Sequence, residues 1–194
     1  AKQQLRNGGF SDGTAEAAGH ANANSTGFAG WALGDLGKTR AAKRAAAWVR
    51  AHQLRNVGTC RPYAGRDIGA LAYDDAAWTD AQTSDLTTDD AQFNSATSQA
   101  LGVLKWAPRA TSKARMVTNA KRPRKAGATV RLQFAGFAPG AVTCVKVGTV
   151  RQLVAANQRG RVAVRVTLPT QPGKVRVLVN GGTKPVRTSL KVVR

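Results

Sequence analysis

Acidic residues are missing from the second half of this chain. All ten lie in the first 90 positions, at Asp12, Glu16, Asp35, Asp67, Asp74, Asp75, Asp80, Asp85, Asp89 and Asp90. Ten Lys and Arg share those positions, so they net zero, while the other twenty Lys and Arg fall in residues 91–194 and make up the whole charge of +20. A stretch without one carboxylate cannot neutralise itself and should find anions elsewhere. Other scarcities exclude whole classes. No apolar run approaches the ~18–20 residues that a membrane helix needs. No charged, apolar, small-residue leader opens the chain, which starts Ala1-Lys2-Gln3-Gln4 and reads as the middle of a longer protein. Two histidines and no Ser/His/Asp pattern leave little for nucleophilic catalysis. The two cysteines, Cys60 and Cys144, fall one in each half. They could form one bridge between modules of a secreted protein, or stand as two buried thiols.

What is present begins with enough apolar matter for a core, 42% of the residues. The tetrapeptide Gln-Leu-Arg-Asn occurs twice, at Gln4–Asn7 and Gln53–Asn56. The second copy follows a helical pattern from Lys38 to His52, with Ala41, Ala42, Ala45, Ala46, Trp48 and Val49 on one face. Gly58 is then placed to end that helix. The first copy runs into Gly8-Gly9-Phe10-Ser11-Asp12-Gly13, a glycine-rich turn. Next, Asn22 to Thr26 offer N-cap chemistry for an apolar helix through Phe28, Trp31, Leu33 and Leu36, closed by Gly37. A related segment runs from Asn94-Ser95-Ala96-Thr97 to Trp106 and stops at Pro108. The offset between the tetrapeptides, 53 − 4 = 49, lies in the range of helical-pair repeats.

These residues carry a resemblance. Trp48-Val49-Arg50-Ala51-His52-Gln53 resembles the helix side of the QW repeat of the squalene-cyclase and prenyltransferase superfamily. Gln4, Gly8 and Phe10 resemble its loop side, with Phe where the family often has Trp. The resemblance covers residues 1–107 and implies helical hairpins of an incomplete α/α toroid, the C-terminal part of a longer protein. The plainer alternative is a small helical domain with a coincidental repeat.

The chemistry of that family is not visible here. Cyclases of the superfamily use Asp-x-Asp-Asp to protonate a polyene, and the pairs Asp74-Asp75 and Asp89-Asp90 lack the third carboxylate. A general acid needs burial or a like-charged neighbour to hold its proton. Residues 74–90 instead read as a solvated acidic loop of Ala, Thr, Ser and Gln. Zinc would need three or four converging ligands from His20, His52, Cys60 and Asp67, which are scattered. Asp85, Asp89 and Asp90 could offer hard oxygen to calcium, but without EF-hand spacing. His52, at a helix C-terminus, has reason enough in the helix dipole. No catalytic residue, metal or cofactor is expected, and an enzyme is the less favoured reading.

Residues 108–126 read as a basic linker, with prolines, small residues and the run Lys121-Arg122-Pro123-Arg124-Lys125. Such a run also fits nuclear-localisation and polyanion-binding patterns. From Gly127 the apolar period becomes two. Val130, Leu132 and Phe134, then Val162, Val164, Val166 and Leu168, then Val175, Val177 and Val179, then Val186, Leu190 and Val192 alternate with polar residues. Val142–Val147, of either face, and Val150–Val154 add two strands. Six or so short strands argue for a β-sandwich. The turns Phe137-Ala138-Pro139-Gly140 and Asn157-Gln158-Arg159-Gly160, with Leu168-Pro169 before Pro172-Gly173, resemble bacterial Ig-like cell-surface modules over residues 121–194. The expected fold is therefore multidomain α plus β: partial α/α-toroid hairpins in residues 1–107, a linker, and an all-β Ig-like sandwich in residues 127–194.

Alternation also gives the charge a geometry. Arg161, Arg165, Arg176, Arg187 and Lys191 should face outward, joined by Lys121, Arg122, Arg124 and Lys125 of the linker as candidate polyanion contacts. Such a surface serves either binding or solubility and edge protection. Three functions are expected from this. The first is a non-catalytic secreted or cell-surface bacterial protein, extracellular or in the cell wall, whose cationic module meets anionic wall polymers or acidic glycans. The second is a terminal piece of a cyclase-like or prenyltransferase-like enzyme, with the preceding repeats as its partner. The third is non-specific nucleic-acid binding, which net charge permits. Beyond residue 105, however, the aromatics are Trp106, Phe134 and Phe137, at apparent core or turn positions, so a base-stacking platform is lacking.

Overall fold

A computed structural model describes residues 3–13, 19–83 and 90–194, with the Asp90 side chain excepted. The chain is α plus β, helices first and two sheets after. It divides into two compact units. One holds residues 1–56 and 61–109; the other holds residues 110–194 together with the short segment Val57–Cys60.

In the helical unit, α1 (Ala23–Asp35) and α2 (Thr39–Ala51) form a hairpin, followed by α3 (Asp75–Asp80), α4 (Asp90–Ala100) and a 3₁₀ segment (Leu101–Trp106). Asn22 caps α1, its side-chain oxygen accepting from the Ser25 amide at 2.8 Å. The face expected of α2 is the one buried, with Ala42, Ala45, Ala46, Trp48 and Val49 in the core. Small residues let α1 come close to its neighbours: a methyl group on Gly27 would collide with the backbone of Ala100 in α4. Asn94–Thr97, expected at a helix start, lie inside α4, because that helix already begins at Asp90.

The two Gln-Leu-Arg-Asn copies make the same hydrogen bonds. In the first, Gln4 Nε2 donates to the Gly8 carbonyl, Leu5 N to the Gly9 carbonyl and Gly8 N to the Leu5 carbonyl. In the second, Gln53 Nε2 donates to the Gly69 carbonyl, Leu54 N to the Ala70 carbonyl and Gly69 N to the Leu54 carbonyl. Gly8 and Gly69 share a left-handed backbone, φ 99° and 103°, which only glycine adopts cheaply. The parallel continues to the next helix. Phe10 N donates to Thr26 Oγ1 at 2.9 Å, and Leu71 N donates to Thr97 Oγ1 at 2.8 Å. Gly8 is thus matched by Gly69, not by Gly58. Residues 57–68 are an insertion into the second copy, and α2 ends before them, at Ala51.

The β unit has eight strands. Those already bounded by the sequence pattern are β3 (Thr129–Ala135), β4 (Val142–Val147), β5 (Val150–Ala155), β6 (Arg161–Thr167), β7 (Gly173–Asn180) and β8 (Val186–Val193). Two more come from the segment expected to be a linker: β1 (Arg115–Met116), antiparallel to β3, and β2 (Arg124–Lys125), parallel to β8. The unit therefore begins near residue 110, because backbone pairing recruits this segment into both sheets. The sheets run β1-β3-β6 and β2-β8-β7-β4-β5. Leu132, Phe134, Val162, Val164 and Val166 of one sheet pack with Val145, Val147, Val177, Val179 and Leu190 of the other in a single core. Two sheets in this order, antiparallel except for the short β2–β8 pair and closed on one apolar core, make an Ig-like sandwich. Cys144 of β4 is disulfide-bonded to Cys60 across a sequence separation of 84. The bond belongs to the β unit, since the Val57–Cys60 segment lies in it.

The matched threonines give a test of the internal duplication. Thr26 is buried, and its hydroxyl accepts from a buried amide. Replacing Thr26 or Thr97 by valine keeps the shape and strands one amide, at a cost of about 1–3 kcal/mol each. Urea unfolding followed by tryptophan fluorescence should show both losses, similar in size. A loss at one position only would contradict the equivalence.

Candidate anion-binding surface

Register places the outward cations of β3–β8 and Arg115 of β1 on two opposite faces. The outward face of β7 and β8 holds Lys174 directly opposite Lys191, Arg176 opposite Ser189, and Leu178 opposite Arg187. Leu178 is in turn opposite Lys146 of β4, and Lys146 opposite Arg151 of β5. One row therefore crosses four strands as Arg187, Leu178, Lys146 and Arg151. In the next row, Asn180, Cys144 and Leu153, Cys144 is fully buried beneath the disulfide segment while the other two are half-buried. Thr59 Oγ1 lies 3.7 Å from Cys144 Sγ there.

Two shallow grooves mark the open part of this face. One, of about 840 Å³, is lined by Lys121, Lys174 and Lys191 with Thr188, Ser189 and Pro172. The other, of about 890 Å³, is lined by Lys146, Lys174, Arg176 and Arg187 with Thr149, Thr188, Ser189, Leu178 and Pro169. They share Lys174, Thr188 and Ser189, so they adjoin. Their cations have no carboxylate in residues 91–194 to pair with. Like charges directly opposite on a sheet cost about 0.2–1 kcal/mol per pair. Chemically, the grooves offer point-charge and forked donors beside hydroxyls, donors that suit anionic oxygens.

The other outward face, of β1-β3-β6, carries Arg131 opposite Arg165 and Ala135 opposite both Arg161 and Arg115. All four arginines are exposed. The nine expected contacts therefore do not form one surface. Arg176, Arg187, Lys191 and Lys121 meet at the grooves, while Arg161 and Arg165 lie on the opposite sheet. Arg122 is exposed in the turn before β2, and Lys125 is exposed on β2. Arg124 is half-buried, because its partner Val192 points into the core. Its Nη2 donates to the Asn119 carbonyl at 3.3 Å, a structural role. Lys146, Arg151 and Lys174, and Arg115 and Arg131, are additions. Lys174 and Arg131 were visible as polar members of alternating runs. Lys146 was not, because both faces of β4 read as apolar.

The helical unit offers packing where the sequence offered candidates for chemistry. Asp74 caps α3, accepting from the Ala77 amide at 2.8 Å, so the pair Asp74-Asp75 opens a short helix and is not a free loop. His52 is buried and stacked on Trp48 at 3.7 Å between ring centroids. Its Nδ1 donates to the Trp48 carbonyl at 2.8 Å, and its Nε2 lies 2.8 Å from Asp75 Oδ1. The hydrogen bond from His52 holds the Asp75 carboxyl below the usual carboxylate range. Burial pushes the Tyr63 hydroxyl up to about 12. Burial likewise lowers Arg50, whose Nη1 donates to the Pro108 carbonyl at 2.7 Å. Cys60 is taken by the disulfide, and among the described residues no three of His, Cys, Asp and Glu gather where a metal could bind. Asp85 and Asp89 lie outside the described residues, as does the Asp90 side chain. Among the described residues, no helix is long and apolar enough to cross a membrane.

No family model matches the chain. No curated protein matches it either. Among solved structures, a match is the Lin-41 filamin domain, at 13% identity and a TM-score of 0.32, covering 45% of this chain and 99% of that one. At that score the sandwich rests on its own strand order and core.

Proposed function

We propose that this chain is a non-catalytic secreted or cell-surface bacterial protein, held by its cationic Ig-like module to anionic wall polymers or acidic glycans. One observation carries the reading: two adjoining grooves on the β7–β8 face are lined by six cations, Lys121, Lys146, Lys174, Arg176, Arg187 and Lys191, in a module without a carboxylate. The Cys60–Cys144 disulfide supports an oxidising, extracellular setting. The shared chemistry is a linear polyanion, whether its charges are phosphoryl or uronate.

The duplicated hydrogen-bond unit favours a second reading, a terminal part of a cyclase-like or prenyltransferase-like enzyme whose reactive residues precede this chain. Sequencing the message upstream tests it. Further Gln–Gly–Thr units with an Asp-x-Asp-Asp or a zinc triad are expected on that reading, and a coding sequence lacking all of them sinks it.

For the first reading, the full chain is passed over immobilised polygalacturonate and polyphosphate. Retention at low salt should fall steeply toward physiological ionic strength, where the screening length is about 8 Å. Replacing Lys174, Arg176, Arg187 and Lys191 by glutamine should move elution to lower salt. Salt-independent retention, or an unchanged variant, would contradict the groove. Stronger retention on duplex DNA than on either polymer would put nucleic acid in their place.

A further inference from the structure

The arginine face of β1-β3-β6 is not used by the grooves, and it repeats their charge logic on the far side of the same core. Arg131 stands directly opposite Arg165, as Lys174 stands opposite Lys191. Arg115 and Arg161 flank Ala135 one strand to either side. With strands about 4.8 Å apart, these four guanidinium stems rise within a patch on the order of 10 Å wide. We infer that the module is bivalent: it holds one polyanion segment in the β7–β8 grooves and a second on the arginine face, and so cross-links the polymer. This rests on the groove reading above.

Physics favours independence of the two faces. Packed sheets lie about 10 Å apart, and side chains extend outward from both, so the charge layers stand on the order of 20 Å apart. That exceeds the screening length of about 8–10 Å. A polymer bound on one face therefore neither neutralises the other nor repels a second segment from it. The two faces also differ in chemistry. The grooves mix Lys and Arg beside hydroxyls, whereas the opposite face presents arginine forks, which suit two-point contact with phosphate or carboxylate oxygens. Solubility alone needs no like-charged pair directly across a ladder, yet one sheet carries Arg131–Arg165 and the other both Lys174–Lys191 and Lys146–Arg151.

The experiment mixes the full chain with long-chain polyphosphate at low salt and follows light scattering as the protein-to-polymer ratio rises. A bivalent binder gives scattering that climbs, peaks and then falls when excess protein occupies every segment singly. The double variant Arg131→Gln/Arg165→Gln, exposed on one face, should remain on the polyphosphate column and lose the scattering peak. Lys174→Gln/Lys191→Gln should also lose the peak, while its retention shifts to lower salt. Retention without scattering by the unsubstituted chain, or a full peak from the arginine variant, overturns bivalency and leaves the groove reading standing. No retention at low salt overturns both.

Discussion

An apolar core holds two like-charged sheet faces back to back, and everything else in the β unit depends on it. Leu132, Phe134, Val162 and Val164 meet Val145, Val177, Val179 and Leu190, all nearly fully buried. Burying one such side chain contributes about 1.5–3 kcal/mol. One opposed pair of cations is destabilising, on the order of 1 kcal/mol. Burial of this core therefore offsets the opposed pairs Lys174–Lys191, Lys146–Arg151 and Arg131–Arg165. The charge layout is something the fold can carry, and nothing in the packing requires it.

The disulfide lies within the β unit, on a segment that interrupts the second tetrapeptide copy in sequence. The second Gln-Leu-Arg-Asn copy is split from its glycine by residues 57–68, and that insertion contains Cys60. Val57–Cys60 leaves the helical unit to join the β unit, where it covers the Cys144 end of the β7–β4–β5 face. The covered row and the cationic rows are successive outward positions of the same strands. One end of the face is thus closed covalently and the other is left open to solvent.

Much of this was legible from periodicity. Alternating valines set the inward side of β3, β6, β7 and β8, because period two has one solution once a face is buried. Two-residue strands carry no period, so β1 and β2 read as linker; their pairing with β3 and β8 decides them. Alternation also separates inside from outside without saying which outside. Arg161 and Arg176 both point to solvent, yet a sandwich has two outward faces and they lie on different ones. The repeated tetrapeptide was plain, but its matching glycine was hidden behind the insertion, and only Gly69, with φ 103°, completes the unit. His52 was read as a helix-end residue, because the Asp75 that meets it is distant in sequence.

Uncompensated charge on the β unit should be relieved by bound or screening anions. Amide hydrogen exchange in β3, β6, β7 and β8 of the full chain measures this directly, since residues 110–194 contain no tryptophan. Protection should rise with ionic strength as repulsion is screened, and rise further at fixed ionic strength when long-chain polyphosphate binds the folded state. Protection in these strands that responds to neither salt nor polyanion would contradict the account.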